Sequence, residues 1–222
     1  MSNLILHIDT ALGKASVSLA NNDALIAVKE NLEMRDQAGW IHTAIQTLLQ
    51  ENNYTLSHLK AVAVVAGPGS YTGLRIGLAT AKGLCYALQI PLIAINTLEL
   101  IAAAAQPQTS DLVCAMVDAR RMEVFMAIYN KAGEVIIAPT AKIINENSFD
   151  SLLKQHQIIF AGNSNNKVKS IVNHPNAVFL ENNYTVSDIC ALANRMFLTG
   201  LFSELAYVEP YYIKEFYNIS NN

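Results

Sequence analysis

Two stretches of this chain lie over each other with one constant offset. LILHIDTALGKASVSLANNDALI (4–26) matches VCAMVDARRMEVFMAIYNKAGEVI (113–136) so that Asp118 minus Asp9 and Asn130 minus Asn21 both give 109. Each copy reads as a strand closing on Asp, a short loop, a second strand, an Asn-led turn and a third strand. Further on, IIFAGNS (158–164) echoes AVVAGPGS (63–70), with Gly162 standing where Gly67 stands. Chance likeness of two α/β halves is the competing explanation, but the shared spacing of the aspartate and the turn favours duplication. A repeated β-β-β-α-β-α-β order predicts an α/β protein of two ribonuclease-H-like halves facing a cleft, the actin-like ATPase (ASKHA) fold. The expected halves are residues 1–106 and 107–222, divided in the linker Gln106–Ser110, with the last helix and the tail packing back on the first half.

Composition narrows what such a molecule does. Hydrophobic residues make up 52% and charged residues 15% of the 222, and the mean hydropathy is +0.24. No apolar run reaches the roughly 18–20 residues that span a bilayer, so the surplus is expected in a filled core or on a face awaiting a partner subunit. A net charge of −3 excludes strong binding of nucleic acid by this chain alone; tRNA contact is expected only through a complex. Cys85, Cys114 and Cys190 sit apart in apolar segments, as buried thiols of a reducing compartment do. The opening MSNLILHID lacks a signal-peptide pattern, so a cytoplasmic location is expected, without membrane contact.

The stretch AGPGSYTGLRIG (66–77) raises the question of a phosphate loop. Gly67, Gly69 and Gly73 are spaced one residue too long for G-x-G-x-x-G, and no Lys-Ser or Lys-Thr follows as a P-loop requires. Ser70 reads as an N-cap for a helix opening at Tyr71. Along that helix Gly73, Gly77, Thr80, Ala81 and Leu84 form a small-residue side, with Leu74 and Ile76 extending the apolar surface. The preceding helix, about 37–50, gathers Trp40, Ile41, Ala44 and Leu48 on one face. The glycine strip is expected to meet a partner subunit's helix; contact with the 37–50 helix of the same chain is the alternative. The predicted partner interface is thus Trp40, Ile41, Ala44, Leu48, Tyr71, Gly73, Leu74, Ile76, Gly77, Thr80, Ala81 and Leu84.

GPGSYTGLRIG followed by A-x-A-K-G-L, with ILHIDT at the start, DARRMEVF at 118–125 and EPYYIKE at 209–215, resembles the bacterial TsaB (YeaZ) family. The likeness covers most of the chain and is strongest over 1–130. It implies a noncatalytic subunit of tRNA modification that pairs with TsaD, with TsaE completing the assembly. That assembly places threonylcarbamoyl on the adenosine beside the anticodon in tRNAs reading A-starting codons. The resemblance also implies contact through the helices at about 36–51 and 70–88, and ATP or ADP and a metal ion held by the partner subunits rather than by this chain. An apolar face left without its partner would also make the isolated chain a homodimer. RDQAGWIH (35–42) departs from the family's usual His-Ser opening of the first helix, so the partner contact is expected to differ in detail.

The residues that would face a cleft nucleotide are Asp9, Thr10, Asp118 and Arg120. Two acidic groups without phosphate loops make an incomplete set, and carboxylates accepting turn amides are as good a reading as magnesium ligands. A stand-alone nucleotide-dependent kinase or ATPase is therefore the alternative function. A metal on the first long helix needs two histidines about four apart, and that helix carries His42 alone. Ser16 and Ser70 have no His and acid at a spacing that suggests a nucleophile. No catalytic residue is predicted.

Overall fold

The computed structural model describes residues 3–32, 36–105, 111–181 and 183–214. The expected linker at 106–110, Arg35 of the atypical helix opening and Glu215 of the closing motif lie outside them. The first sheet comprises β1 (Leu4–Asp9), β2 (Ala15–Asn21), β3 (Ala24–Asn31), β4 (Ala61–Gly67) and β5 (Leu92–Asn96). The second comprises β6 (Leu112–Asp118), β7 (Glu123–Asn130), β8 (Val135–Ile143), β9 (Ile158–Gly162) and β10 (Ala177–Phe179). Their orders, β3-β2-β1-β4-β5 and β8-β7-β6-β9-β10, are the same when each is counted from its own half. In both, the first three strands run as an antiparallel meander and the last two are parallel to the first. The matched aspartates close β1 and β6, and the matched asparagines close β2 and β7. Gly67 and Gly162 end β4 and β9 at φ of +117° and +123°, a region that residues with a Cβ rarely enter. This is the duplicated ribonuclease-H-like, actin-like ATPase fold. The short edge strand β10 completes the repeated order, although its own residues carry no strong period.

The helices are α1 (Gln37–Glu51), α2 (Tyr71–Leu88), α3 (Thr97–Ala105), α4 (Asp150–Leu153), α5 (Asn165–Lys169) and α6 (Val186–Leu198). β1 shows how alternation sorts the layers. Leu4, Leu6 and Ile8 point to α1 and α2, meeting Ile41, Leu48, Leu78 and Ala81, whereas Ile5 belongs to the opposite face with Ile189, Leu192 and Ala193 of α6. The second sheet buries Val113, Ala115 and Val117 against Leu98, Ile101 and Ala102 of α3; its outer face packs Met116 and Phe160 on Phe149, Leu153 and Val168. Thus α3 follows the first sheet in sequence but covers the second, and α6 follows the second but covers the first. This exchange joins the halves through apolar core. Helix α6 stops at Leu198, and Gly200 turns just beyond it at φ +70°. The chain then returns along the first half.

Candidate docking face and cleft

The glycine stretch opens α2 against the end of β1. Ser70 caps the helix by accepting the Gly73 amide at 3.3 Å, and its own amide donates to the Ala11 carbonyl at 2.7 Å. The Thr10 hydroxyl donates to the Gly73 carbonyl at 2.7 Å. A Cβ on Gly69 would overlap the Ala11 carbonyl, one on Gly73 the Thr10 carbonyl, and one on Gly77 the Thr10 hydroxyl. The glycines bring α2 against its own strand, and Gly73 also stands beside Gln37 at the start of α1, so the same-chain alternative holds in part.

Most side chains of the interface expected from the sequence sit in this chain's own core. Ile41, Ala44, Leu48, Leu74, Thr80 and Ala81 are buried within this single chain, as are Gly73 and Gly77. The reason is geometric: the faces that a helical wheel shows as apolar are those turned to the β1–β4 sheet. Trp40, Ile76 and Leu84 stay half-buried at the edge of that core. Tyr71 packs beside Tyr212 with the rings tilted by 34° at a centroid distance of 5.4 Å, and it lies under the Arg75 guanidinium at 3.9 Å.

The side of α2 turned away from the sheet is different in kind. Thr72, Ala79, Gly83, Tyr86 and Ala87 are exposed and Ile76 partly so, at the three-and-four spacing of one helix face. None is charged. An added Cβ at Gly83 would meet nothing within 4 Å, and Tyr86 is 72% exposed. The two basic side chains of α2, Arg75 and Lys82, lie on its flank, where Arg75 donates to the Tyr212 hydroxyl at 3.0 Å and Lys82 to the Val208 carbonyl at 3.0 Å. Of this strip sequence reasoning named Ile76 but passed over Thr72, Ala79, Gly83 and Tyr86, which lie outside the apolar run; their regular spacing was the signal available.

Between the halves lies a cleft of about 460 Å³ lined by Asp9, Lys14, Ser16, Glu30, Asn163 and Tyr184 among others. Asp9 accepts the Ala11 amide at 2.9 Å and the Tyr184 hydroxyl at 2.8 Å. Burial pushes its carboxyl above the ordinary range, against the pull of those two donors. Thr10, directed to α2, does not line the cleft. Asp118 does not line it either; its amide donates to Asn163 Oδ1 at 2.8 Å, and its carboxylate accepts the Arg120 amide at 2.8 Å and the Lys167 ammonium. Partial burial raises Asp118, but the Lys167 ammonium and the Arg120 amide outweigh it and hold the carboxyl below its usual value. Lys167 also donates to the carbonyls of Arg121 and Glu123, clamping a turn in which Arg120 and Arg121 have φ of +68° and +49°. Arg120 is exposed at that tip. The two matched aspartates therefore bond turn amides and a side chain each rather than converging on one ligand. Among the described residues, no group of three or more His, Cys, Asp or Glu is placed to hold a metal ion, and no helix is long and apolar enough to cross a membrane. His42 is exposed on α1, and Ser16 and Ser70 make no hydrogen bond to a histidine among those residues.

The family model described as "TsaD: tRNA N6-adenosine threonylcarbamoyltransferase" matches residues 32–214. Among curated relatives, the tRNA threonylcarbamoyladenosine biosynthesis protein TsaB of Bacillus subtilis is 28% identical over 76% of this chain and 74% of its own. The protein of that name from Escherichia coli is 36% identical over 57% of this chain, and the match spans about half its own length, 55%. YeaZ from Pseudomonas aeruginosa superposes with a TM-score of 0.75 at 26% identity, covering 95% of this chain and 99% of that one. A second structure, of an uncharacterized protein described as similar to peptidase YeaZ from that organism, gives 0.78 at 26% identity and covers 96% and 100%. The duplicated fold, the motif order and these likenesses agree: the chain belongs to the TsaB (YeaZ) group of the TsaD family.

Proposed function

We propose that this chain is a noncatalytic docking subunit in the biosynthesis of threonylcarbamoyladenosine in tRNA. It holds a TsaD-type subunit against the outward faces of α1 and α2, and a TsaE-type subunit completes the assembly. The observation that carries this reading is the uncharged outward strip Thr72–Ile76–Ala79–Gly83–Ala87, open at Gly83 and set on a helix anchored beneath by Thr10. Small residues at this spacing let a second helix approach closely. Nucleotide and metal chemistry belongs to the partner subunits, tRNA is met through the complex, and the isolated chain pairs with a second copy through the same strip in the cytoplasm. The test is copurification with TsaD- and TsaE-type proteins and a tRNA modification assay with and without this chain. Loss of modification when the chain is omitted supports the reading; full modification without it overturns it.

The second reading is a stand-alone ATPase or kinase, favoured by the cleft that opens on Asp9. It predicts ATP turnover by the chain alone, abolished in Asp9→Asn. The bonds that Asp9 and Asp118 make to turn amides, Tyr184 and Lys167 would compete with that use of the two carboxylates.

A further inference from the structure

After α6 the chain crosses back over the first half and fastens at successive points. Ser203 extends the edge of β5: its amide donates to the Leu92 carbonyl at 2.8 Å, and its hydroxyl accepts the Ala94 amide at 3.2 Å. Lys82 of α2 reaches the carbonyls of Val208 at 3.0 Å and Ala206 at 3.5 Å. The Tyr211 amide donates to the Ala66 carbonyl at 2.8 Å, in the turn before α2. A Cβ on Gly67 would stand 2.8 Å from the Tyr211 carbonyl, so the segment lies tight on that turn. Tyr212 then packs beside Tyr71 and accepts a hydrogen bond from Arg75. Finally Lys214 pairs with Glu123 of the second half at 2.5 Å.

These contacts have one thing in common. Three of the five fastenings hold α2 or the turn that launches it, and they take both of the helix's cations. The sheet fixes α2 from below through Thr10 and the glycines, α1 packs beside it through the shared core, and residues 203–214 hold the remaining flank. The outward strip is what stays free. We infer that the 203–214 segment is a strap that sets the position of α2 as a docking helix, so that strap attachment and partner binding on the outward strip are thermodynamically coupled. A partner helix resting on small residues needs them within a fraction of an ångström, and coupling between two sites requires a shared element whose placement both bias. Here that element is α2.

The inference rests on the docking reading, and its test keeps the two apart. The full-length chain is compared with Lys82→Met, Tyr212→Ala and their combination, all on the flank, and with Gly83→Arg on the outward strip. Amide hydrogen exchange of α2 is measured in the isolated chain, and affinity for the TsaD-type partner is measured by titration. The expected result is faster exchange in the exposed turns of α2 in the flank variants, with partner affinity weakened about tenfold in the combined variant, an ordinary size for coupling between sites. Lys82→Met keeps the buried stem, so it guards against loss of fold. Unchanged α2 exchange in the combined variant overturns the strap, whatever the partner does. Unchanged affinity in the combined variant, with Gly83→Arg abolishing binding, also overturns it while the docking reading stands. Unchanged affinity in Gly83→Arg instead overturns the docking reading and with it the coupling.

Discussion

The Thr10 hydroxyl donates to the Gly73 carbonyl at 2.7 Å across 63 residues of sequence, and the Thr10 carbonyl fills the space where a side chain on Gly73 would stand. The end of β1 and the start of α2 are therefore one packing unit. Gly73→Ala is expected to destabilise the isolated chain by about 1–3 kcal/mol, and Gly77→Leu by more, because the backbone cannot yield without displacing β1. Urea unfolding of the purified chain checks this. Wild-type stability in Gly73→Ala would show that the contact is loose.

Gly83 behaves in the opposite way. It faces open space within α2, so Gly83→Ala is expected to stabilise the chain by about 0.5–1 kcal/mol through helix propensity. The pair of substitutions separates the two jobs of the helix: Gly77 serves the fold and Gly83 the outer face. Thermal melts of both variants side by side read the difference, and a destabilised Gly83→Ala would contradict it.

His7 lies under α6, 1% exposed, with Nδ1 at 3.4 Å from the Ser18 carbonyl and Nε2 unpaired. Burial lowers it from 6.5 to about 4, against the Ser18 bond. The folded state thus disfavours the proton. The stability tied to neutral His7 is complete above pH 6.5 and is lost as pH falls from 6.5 towards 4, by up to about 3 kcal/mol at 1.36 kcal/mol per pH unit. Proton NMR of the ring should show no protonation of folded protein at pH 5.5. A midpoint near 6.5 would contradict the account.

The Tyr184–Asp9 bond joins the start of α6 to the end of β1. Tyr184→Phe is expected to cost about 1–2 kcal/mol, as loss of a buried hydrogen bond to a carboxyl does. Asp9→Asn keeps an acceptor for the Ala11 amide and removes a carboxylate that burial disfavours, so its stability should stay within about 1 kcal/mol of wild type. Denaturant titration of both variants checks the order. A larger loss in Asp9→Asn than in Tyr184→Phe would mean that ionised Asp9 is needed for the fold.

The duplication was legible because its marks are local. Asp9 and Asp118 close strands, Asn21 and Asn130 close others, and Gly67 and Gly162 need a backbone that glycine adopts freely. What each helix face meets was not legible. A helical wheel groups Gly73 with Gly77 and Ala81 but does not say whether the group faces a sheet or another helix; the answer depended on Thr10, far away in sequence. The cleft bonds were hidden for the same reason: Tyr184 reaches Asp9 across 175 residues and Lys167 reaches Asp118 across 49. Only Ile76 of the outward strip of α2 was named from the sequence, because the exposure of Thr72, Ala79, Gly83 and Tyr86 follows only once the sheet, α1 and the strap have taken the other sides.

The central claim is that the chain acts by presenting that strip. Its most direct test is tRNA threonylcarbamoylation by the reconstituted complex, with wild-type chain against Gly83→Arg whose melting curve is unchanged. The account predicts that Gly83→Arg fails to bind the TsaD-type subunit and that modification falls to the level seen without the chain. Full modification supported by a folded Gly83→Arg chain would contradict it.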